Sequence, residues 1–209
     1  MFQDRFDAAQ KLLPLLEKYR SNPNALILAI PRGGLELAYV LAKGLDLPLD
    51  VIFTKKIGYP SNPEYAIGAV SELHVFLNEA FKNIPELQGY IARKVDEIRK
   101  VIKERMIKYR KGMPPFNIQD KIVIVVDDGV ATGSTMLSTL ALIKEYKPKK
   151  IVVALPVASA EAVKKIKENA DEVVCVSVPE HFLSVNQFYK KFEQVDDQEA
   201  MRLLQEANL

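Results

Sequence analysis

A single stretch in the second half of the chain constrains the fold more than any other part of it. The stretch runs from Val123 to Thr135 with the sequence VIVVDDGVATGST, so four β-branched apolar residues lead directly into two carboxylates and a loop of small and hydroxyl residues. A continuous apolar run without alternation is typical of a parallel strand that is covered on both faces. An apolar run at helical spacing follows, so the stretch predicts a buried strand, a turn and the start of a helix.

The two carboxylates and the loop after them are predicted to form a ligand site. Asp127 and Asp128 would emerge at the carboxyl end of the strand, which is where open α/β sheets bind ligands. Gly133 permits a tight backbone path, and Thr132 and Ser134 are candidate caps of the next helix. The loop N–H groups suit a phosphate, and the nearby carboxylates suit hydroxyls or a metal. A phosphorylated ribose meets both demands, whereas the alternative is a capped helix beside two solvated Asp residues.

The loop differs from an ATP-binding P-loop, because it contains no Lys and lacks the G-x-x-x-x-G-K-[ST] spacing. It resembles the motif with which the type I phosphoribosyltransferases bind 5-phosphoribosyl diphosphate (PRPP). In that family an apolar strand is followed by an acidic pair and a loop that ends in Ala-Thr-Gly and a hydroxyl residue, as Ala131 to Ser134 do here. The resemblance covers about residues 25–178. It implies transfer of the 5-phosphoribosyl group from PRPP to a nitrogen nucleophile, foremost a nucleobase, with release of pyrophosphate.

The resemblance assigns roles to this loop and to an earlier glycine loop. Backbone amides of residues 131–135 and the hydroxyls among them would hold the 5-phosphate, while the two Asp carboxylates would engage the ribose hydroxyls and stabilise positive charge at C1. Pro31-Arg32-Gly33-Gly34 resembles the loop that grips the pyrophosphate end, and a simple glycine turn with a surface Arg is the alternative. The residues expected to contact PRPP are Arg32, Gly33, Gly34, Asp127, Asp128, Ala131, Thr132, Gly133, Ser134 and Thr135.

A basic loop is predicted after the second strand. Lys55 and Lys56 open a segment rich in Gly, Pro, Asn and Ser, and Glu64 and Tyr65 close it. The segment resembles the mobile catalytic loop of the family in position and composition, so Arg32 and one of the two lysines would neutralise the departing pyrophosphate. A solvated basic loop is the alternative.

The family resemblance also implies Mg²⁺ as the cofactor. Mg²⁺ takes few protein ligands and much substrate phosphate, so it would be held mainly by pyrophosphate and ribose oxygens. No dedicated protein site is expected, and Asp127 or Asp128 is the candidate protein ligand. The expected catalytic set is therefore Asp127, Asp128, Lys55, Lys56 and Arg32.

The order of the predicted elements places the chain in the α/β class. Alternating strands and helices predict a three-layer fold with a mainly parallel twisted sheet, a hairpin and long-helix insertion, and a small hood. The expected strands are residues 25–30, 51–53, 123–126, 151–155 and 172–178, with a hairpin at 67–78. The expected helices are residues 4–19, 35–45, 86–110, 135–146, 160–169 and 197–207. One domain over residues 1–209 is expected, with a core at about 25–178 and a helical or hood extension at 180–209.

The composition argues against several other classes of protein. A formal net charge of +2 favours neither a nucleic acid nor a membrane surface as the partner. Cys175 is the only cysteine, so a disulfide within the chain and a zinc–thiolate cluster are ruled out. Polar residues follow Met1 and no apolar stretch approaches a membrane span, so a cytoplasmic location is expected.

The sequence leaves the acceptor open. Family members that act on 6-oxopurines carry an acidic residue just before the Thr-Gly of the motif, where this chain has Ala131, which weakens that assignment. Phe182, Phe188 and Tyr189 are candidates for a hood that stacks on a base, or for packing of the C-terminal helix on the sheet. The oligomeric state is also open, and a homo-oligomer is compatible with the sequence.

Two other functions fit the same motif. A PRPP-sensing regulator would keep the pocket without catalysing transfer, but neither a helix-turn-helix signature nor a strong basic balance is present. A PRPP-forming diphosphokinase resembles a tandem of two such domains, whereas these 209 residues accommodate one.

Overall fold

The structure, a computed structural model, describes residues 1–209 apart from the side chain of Glu64, which was predicted to close the basic loop and lies outside the described residues. Its centre is a parallel five-stranded sheet in the order β2-β1-β6-β7-β8. These strands are β1 (Ala25–Ala29), β2 (Leu49–Val51), β6 (Ile122–Val126), β7 (Lys150–Val157) and β8 (Glu172–Ser177). The predicted α/β fold with a mainly parallel sheet is therefore confirmed.

Helices cover both faces of this sheet. They are α1 (Arg5–Leu16), α2 (Gly33–Leu45), α4 (Pro85–Arg110), α5 (Ser134–Glu145), α6 (Ala160–Lys167) and α7 (Asp197–Ala207). The four-residue α3 (Glu79–Lys82), which precedes α4, has no buried residue. Alternate residues of β1 point to opposite faces: Ile27 belongs to the core cluster that includes residues of α1, α2, α4 and α7, whereas Leu26 and Leu28 belong to the cluster that includes residues of α5 and α6. The fold thus has three layers, and the continuous apolar runs of its strands reflect burial on both sides.

A second, antiparallel sheet corrects the prediction of a loop after Lys55. It consists of β3 (Lys55–Tyr59), β4 (Asn62–Val70) and β5 (Val75–Leu77) in that order, so the segment predicted as a loop is a hairpin that turns at Pro60 and Ser61. Gly58 is required inside the hairpin, because a Cβ there would lie 2.3 Å from the carbonyl oxygen of Pro63. The glycine therefore marks a close approach of two strands rather than a loop. The predicted hairpin at residues 67–78 corresponds to β4 and β5.

Helix α1 crosses the sheet from its carboxyl edge to its amino edge. It was predicted over residues 4–19, but it ends at Leu16 and a 3₁₀ turn (Glu17–Tyr19) follows. It packs against α2, β7 and β8. Phe6 of this helix is exposed, whereas Arg5 is buried.

The remaining elements lie close to their predicted positions. The largest shift is in β2, which precedes its predicted residues 51–53 by two positions, whereas α7 has the predicted bounds. Within the described part of the chain, none of the helices combines the length and the apolar character needed to cross a membrane.

Candidate functional site

The loop between β6 and α5 is fixed by the end of β7. The Val130 N–H donates to the Val157 carbonyl at 3.0 Å, and the Ser159 N–H donates to the Val130 carbonyl at 3.0 Å. The Ser159 hydroxyl donates to the Ala131 carbonyl at 2.6 Å. Gly133 has φ 82°, a left-handed conformation that favours glycine. The backbone of the loop is therefore held in place before any ligand binds.

The start of α5 is open to solvent. Gly133 is the N-cap residue and no side chain caps the helix, so the prediction that Thr132 and Ser134 act as caps is wrong. The nearest contact is a long one of 3.5 Å from the Ser134 N–H to Thr132 Oγ1. Thr132, Ser134 and Thr135 are exposed, so their hydroxyls and the first N–H groups of α5 can donate hydrogen bonds to an anion.

A cavity of about 260 Å³ lies in front of this loop. It is lined by Asp127, residues 129–136 and Val185. The sequence did not indicate Val185 as a site residue. Its side chain lies so close to Gly129 that a Cβ there would be 2.5 Å from Val185 Cγ1, which explains why position 129 is a glycine. The cavity therefore combines the loop, one of the two carboxylates and a C-terminal residue.

The two adjacent acids have different environments. Asp127 lines the cavity, and its Oδ1 accepts the Asp128 N–H at 2.9 Å. Burial raises the pKa of Asp127 well above its usual value, and the neighbouring Asp128 charge adds to this. Asp128 is an ion-pair partner instead, because its Oδ2 accepts from Arg5 Nε at 2.9 Å and lies 2.8 Å from Arg5 Nη2. Burial also raises the pKa of Asp128, and Arg5 offsets part of the effect.

Arg5 is a second residue that the sequence analysis missed. Its Nη1 donates to the Glu193 carbonyl at 2.7 Å and to Glu36 Oε2 at 3.2 Å, and its guanidinium lies 4.0 Å from the centre of the Phe192 ring. The available signal was its spacing, since Arg5 shares the helical face of Ala8, Ala9 and Leu12. A charged residue on a buried face requires a charged or polar partner.

The Arg-Gly-Gly loop lies directly beside Asp128. The Pro31–Arg32 peptide bond is cis, and α2 starts at Gly33. A Cβ on Gly33 would lie 1.9 Å from Asp128 Oδ2, and a Cβ on Gly34 would lie 2.7 Å from the Val126 carbonyl oxygen. These glycines therefore allow α2 to pack closely on β6. Arg32 is exposed, and its Nη1 is 3.8 Å from Asp197 Oδ1.

The two lysines lie on β3 and outside the cavity in front of the α5 loop. Lys55 is exposed and near Glu97 of α4, whose pKa is lowered mainly by Lys94 and in small part by Lys55. The entrance to the hairpin is tied to α5, because the hydroxyls of Thr54 and Thr139 are 2.9 Å apart.

The predicted hood residues separate into two groups. Phe182 and Phe188 contact each other with ring centres 5.1 Å apart, and both are partly exposed. Tyr189 is buried between Phe2 and Phe192, whose ring centres are 5.3 Å and 4.9 Å from its own. Its hydroxyl donates to the Asp128 carbonyl at 2.6 Å. Tyr189 therefore supports the acid pair and has no open ring face for a base.

A second cavity of about 250 Å³ lies at the foot of the hairpin, between β2 and the end of α4. Its charged residues pair with one another, because Arg110 contacts Asp50 at 2.9 Å and Glu72 at 3.2 Å. None of its lining residues belongs to the α5 loop or the acid pair, so it is separate from the candidate site.

The chain is similar to known proteins over most of its length. A family model described as a phosphoribosyl transferase domain matches residues 6–193. A Mycobacterium tuberculosis protein provisionally named a phosphoribosyl transferase is 33% identical over 210 residues, which cover 100% of this chain and 47% of that protein. The chain thus spans about half the length of the curated relatives that it matches over its whole length.

One further similarity covers a shorter part of the sequence, and another is a similarity of three-dimensional structure. A uracil phosphoribosyltransferase of Mycoplasma genitalium is 44% identical over 63 residues, which cover 30% of each chain. The crystal structure of the protein TT1426 from Thermus thermophilus superimposes with a TM-score of 0.88 at 37% identity, covering 98% of both chains.

Proposed function

Because the chain belongs to the family of phosphoribosyl transferase domains, we propose that it transfers the 5-phosphoribosyl group of PRPP to a nitrogen nucleophile and releases pyrophosphate. The observation that carries the proposal is the uncapped start of α5, which shares one cavity with Asp127. A phosphate at the loop and ribose hydroxyls at the carboxylate would occupy this cavity together.

The side chains around the cavity support a transfer at C1 of the ribose. The C1–O bond to pyrophosphate breaks with its electron pair on the leaving group, a C1–N bond forms, and the nitrogen's proton passes to the released pyrophosphate or to water. Asp127 would stabilise the positive charge that develops at C1, because it is the acid that lines the cavity. Arg32, the first N–H groups of α2 and one of Lys55 or Lys56 would neutralise the pyrophosphate.

The donor set fits Mg²⁺ held mainly by the substrate. The described residues contain no group of three or more His, Cys, Asp or Glu side chains that could hold a metal ion by themselves. Mg²⁺ commonly takes one or two carboxylates and completes its shell with phosphate oxygens and water. Asp127 is the carboxylate placed for this role, and the ion would supply charge neutralisation of the pyrophosphate.

We propose a nucleobase as the acceptor, supported by the similarity to a uracil phosphoribosyltransferase. The test measures pyrophosphate release with PRPP, Mg²⁺ and a panel of nucleobases and small amines, alongside PRPP binding by calorimetry. Release with one acceptor supports transfer and identifies that acceptor. Binding without release from any acceptor favours a PRPP-sensing protein, and an absence of PRPP binding removes both functions.

A further inference from the structure

We infer that Arg5 is a positioning residue for PRPP binding, which it serves by fixing the carboxylate of Asp128 and by offsetting the negative charge of the acids around it. The inference rests on the proposed function. It assigns a part in the site to the N-terminal helix, which lies far in sequence from the motif at residues 123–135.

The guanidinium of Arg5 is fixed by three separate parts of the chain. Two of its nitrogens contact one oxygen of Asp128 at 2.9 and 2.8 Å, and the third donates to Glu193 and Glu36. Only 7% of the Arg5 side chain is exposed, compared with 17% for Asp128. Since every nitrogen has a partner and Phe192 covers one face, the guanidinium has a single orientation.

Asp128 is held both at its side chain and at its backbone. Its carboxylate is pressed against Gly33, its carbonyl accepts the Tyr189 hydroxyl at 2.6 Å, and its N–H donates to Asp127 Oδ1 at 2.9 Å. The last bond orients the acid that lines the cavity. That bond is donated by the backbone N–H, so it does not depend on the Asp128 side chain. Loss of the Arg5 contact would instead free the Asp128 carboxylate, which lies against Gly33 at the start of α2 and next to Asp127.

Arg5 also offsets negative charge around the site, and this second effect likewise favours PRPP binding. Three carboxylates, those of Glu36, Asp127 and Asp128, surround this one guanidinium, and Glu199 of α7 adds to the negative field at Glu36. Without Arg5 the site would present uncompensated negative charge to PRPP, which is itself a polyanion. Both effects weaken PRPP binding when Arg5 is replaced.

A double-mutant cycle on PRPP binding tests the inference. Arg5→Met and Asp128→Asn are made singly and together, and PRPP dissociation constants are measured by calorimetry below the unfolding temperature of every variant. Arg5→Met is expected to weaken binding about 10-fold, the scale of one lost charge-assisted contact, and to weaken it by a smaller factor in the Asp128→Asn background, where only the charge effect remains. The KM for PRPP should rise by a similar factor while the KM for the acceptor stays unchanged.

Arg20→Met is the matched control, because Arg20 pairs with the exposed Glu17 just beyond α1 and should leave PRPP binding at the wild-type value. Arg5→Lys keeps the charge but not the two-nitrogen contact, so it should bind PRPP with intermediate strength, and it replaces Arg5→Met in the cycle if the latter does not fold. Wild-type affinity in the Arg5 variant, or losses that multiply in the double mutant, would overturn the inference alone. Wild-type protein that fails to bind PRPP would overturn the proposed function, and the inference with it.

Discussion

Charged clusters of opposite character lie at the two edges of the central sheet where its parallel strands end and begin. The carboxyl-edge cluster contains three acids and one base, and its members are Arg5, Glu36, Asp127 and Asp128. The amino-edge cluster contains one acid, two bases and a phenol, and its members are Lys18, Tyr19, Lys150 and Glu172. Helix α1 joins them, because Arg5 begins it and Tyr19 ends the 3₁₀ turn that follows it.

The pKa values of the acids move in opposite directions in the two clusters. Burial raises the pKa of Glu172, but hydrogen bonds from Lys150, Lys18 and Tyr19 outweigh burial and lower it to about 2. Burial and the neighbouring acid raise the pKa of Asp127 instead. Ionised Glu172 therefore stabilises the fold, whereas ionised Asp127 destabilises it. A carboxylate of the second kind is typical of a site that binds a cationic or hydroxyl-bearing ligand. Charge balance therefore distinguishes a structural cluster from a candidate binding cluster on one sheet.

Replacing Asp127 by Asn should give the largest effect on activity. We expect turnover with PRPP to fall about 100-fold, because the variant loses the charge that we propose stabilises the transition state. The folded-state pKa of Asp127 is raised, so its favourable contribution to stability is present below its unfolded pKa and lost as pH rises. The Asn variant should therefore be at least as stable as the wild type at pH 7, as measured by thermal unfolding. Unchanged turnover would show that the acid in the cavity has no catalytic part.

Gly33→Ala should damage both activity and stability, through packing at the carboxyl-edge cluster. The added Cβ would lie 1.9 Å from Asp128 Oδ2 and 3.2 Å from Arg5 Nε, so the ion pair must move. We expect a loss of roughly 1–3 kcal/mol in unfolding free energy, typical of overpacking, and about 10-fold weaker PRPP binding. Denaturant titration and calorimetry measure the two effects.

Gly89→Ala is the matched control for that substitution. Gly89 lies inside α4, and a Cβ there meets nothing within 4 Å, so alanine should stabilise the protein by roughly 0.5–1 kcal/mol. If both variants changed stability equally, the proposed crowding at Gly33 would be contradicted.

The sequence predicted the parts of the site that depend on consecutive residues. β6, the loop at Gly133 and the start of α5 follow from an apolar run, a glycine and a helical pattern that are adjacent in the chain. The same local signals misplaced the hairpin, because Gly58 and the flanking prolines indicate a loop until the pairing with β4 is known. Burial of Ile57 and Ile67 against α4 stabilises the strands there, and this contact is not local.

The residues that support the acid pair could not be predicted in this way. Arg5 and Asp128 are separated by 123 positions, and Tyr189 and Asp128 by 61. Periodicity identified a helix around Arg5 but gave no partner for its charge. Val185 likewise reaches Gly129 only because the C-terminal segment returns beside residues 2 and 3.

Glu172→Gln should give the smallest effect and should act on stability alone. The variant weakens contacts to Lys150 at 2.8 Å, Lys18 at 2.7 Å and Tyr19 at 2.7 Å. Because the cluster is partly exposed to solvent, we expect a loss of about 1 kcal/mol at pH 7, or a fall of roughly 2–4 °C in Tm, with unchanged PRPP turnover.

The stability difference between the wild type and Glu172→Gln should depend on pH, and this dependence separates the amino-edge cluster from ordinary surface ion pairs. The pKa of Glu172 is lowered from 4.5 to about 2 on folding, so its contribution is complete above pH 4.5 and is lost as pH falls toward 2. The stability curves of the wild type and Glu172→Gln should therefore converge in that window. Glu161→Gln, which removes an exposed pair with Lys165, should leave Tm unchanged. A Glu172→Gln variant that kept its Tm but lost turnover would contradict the assignment of structural and binding roles to the two edges.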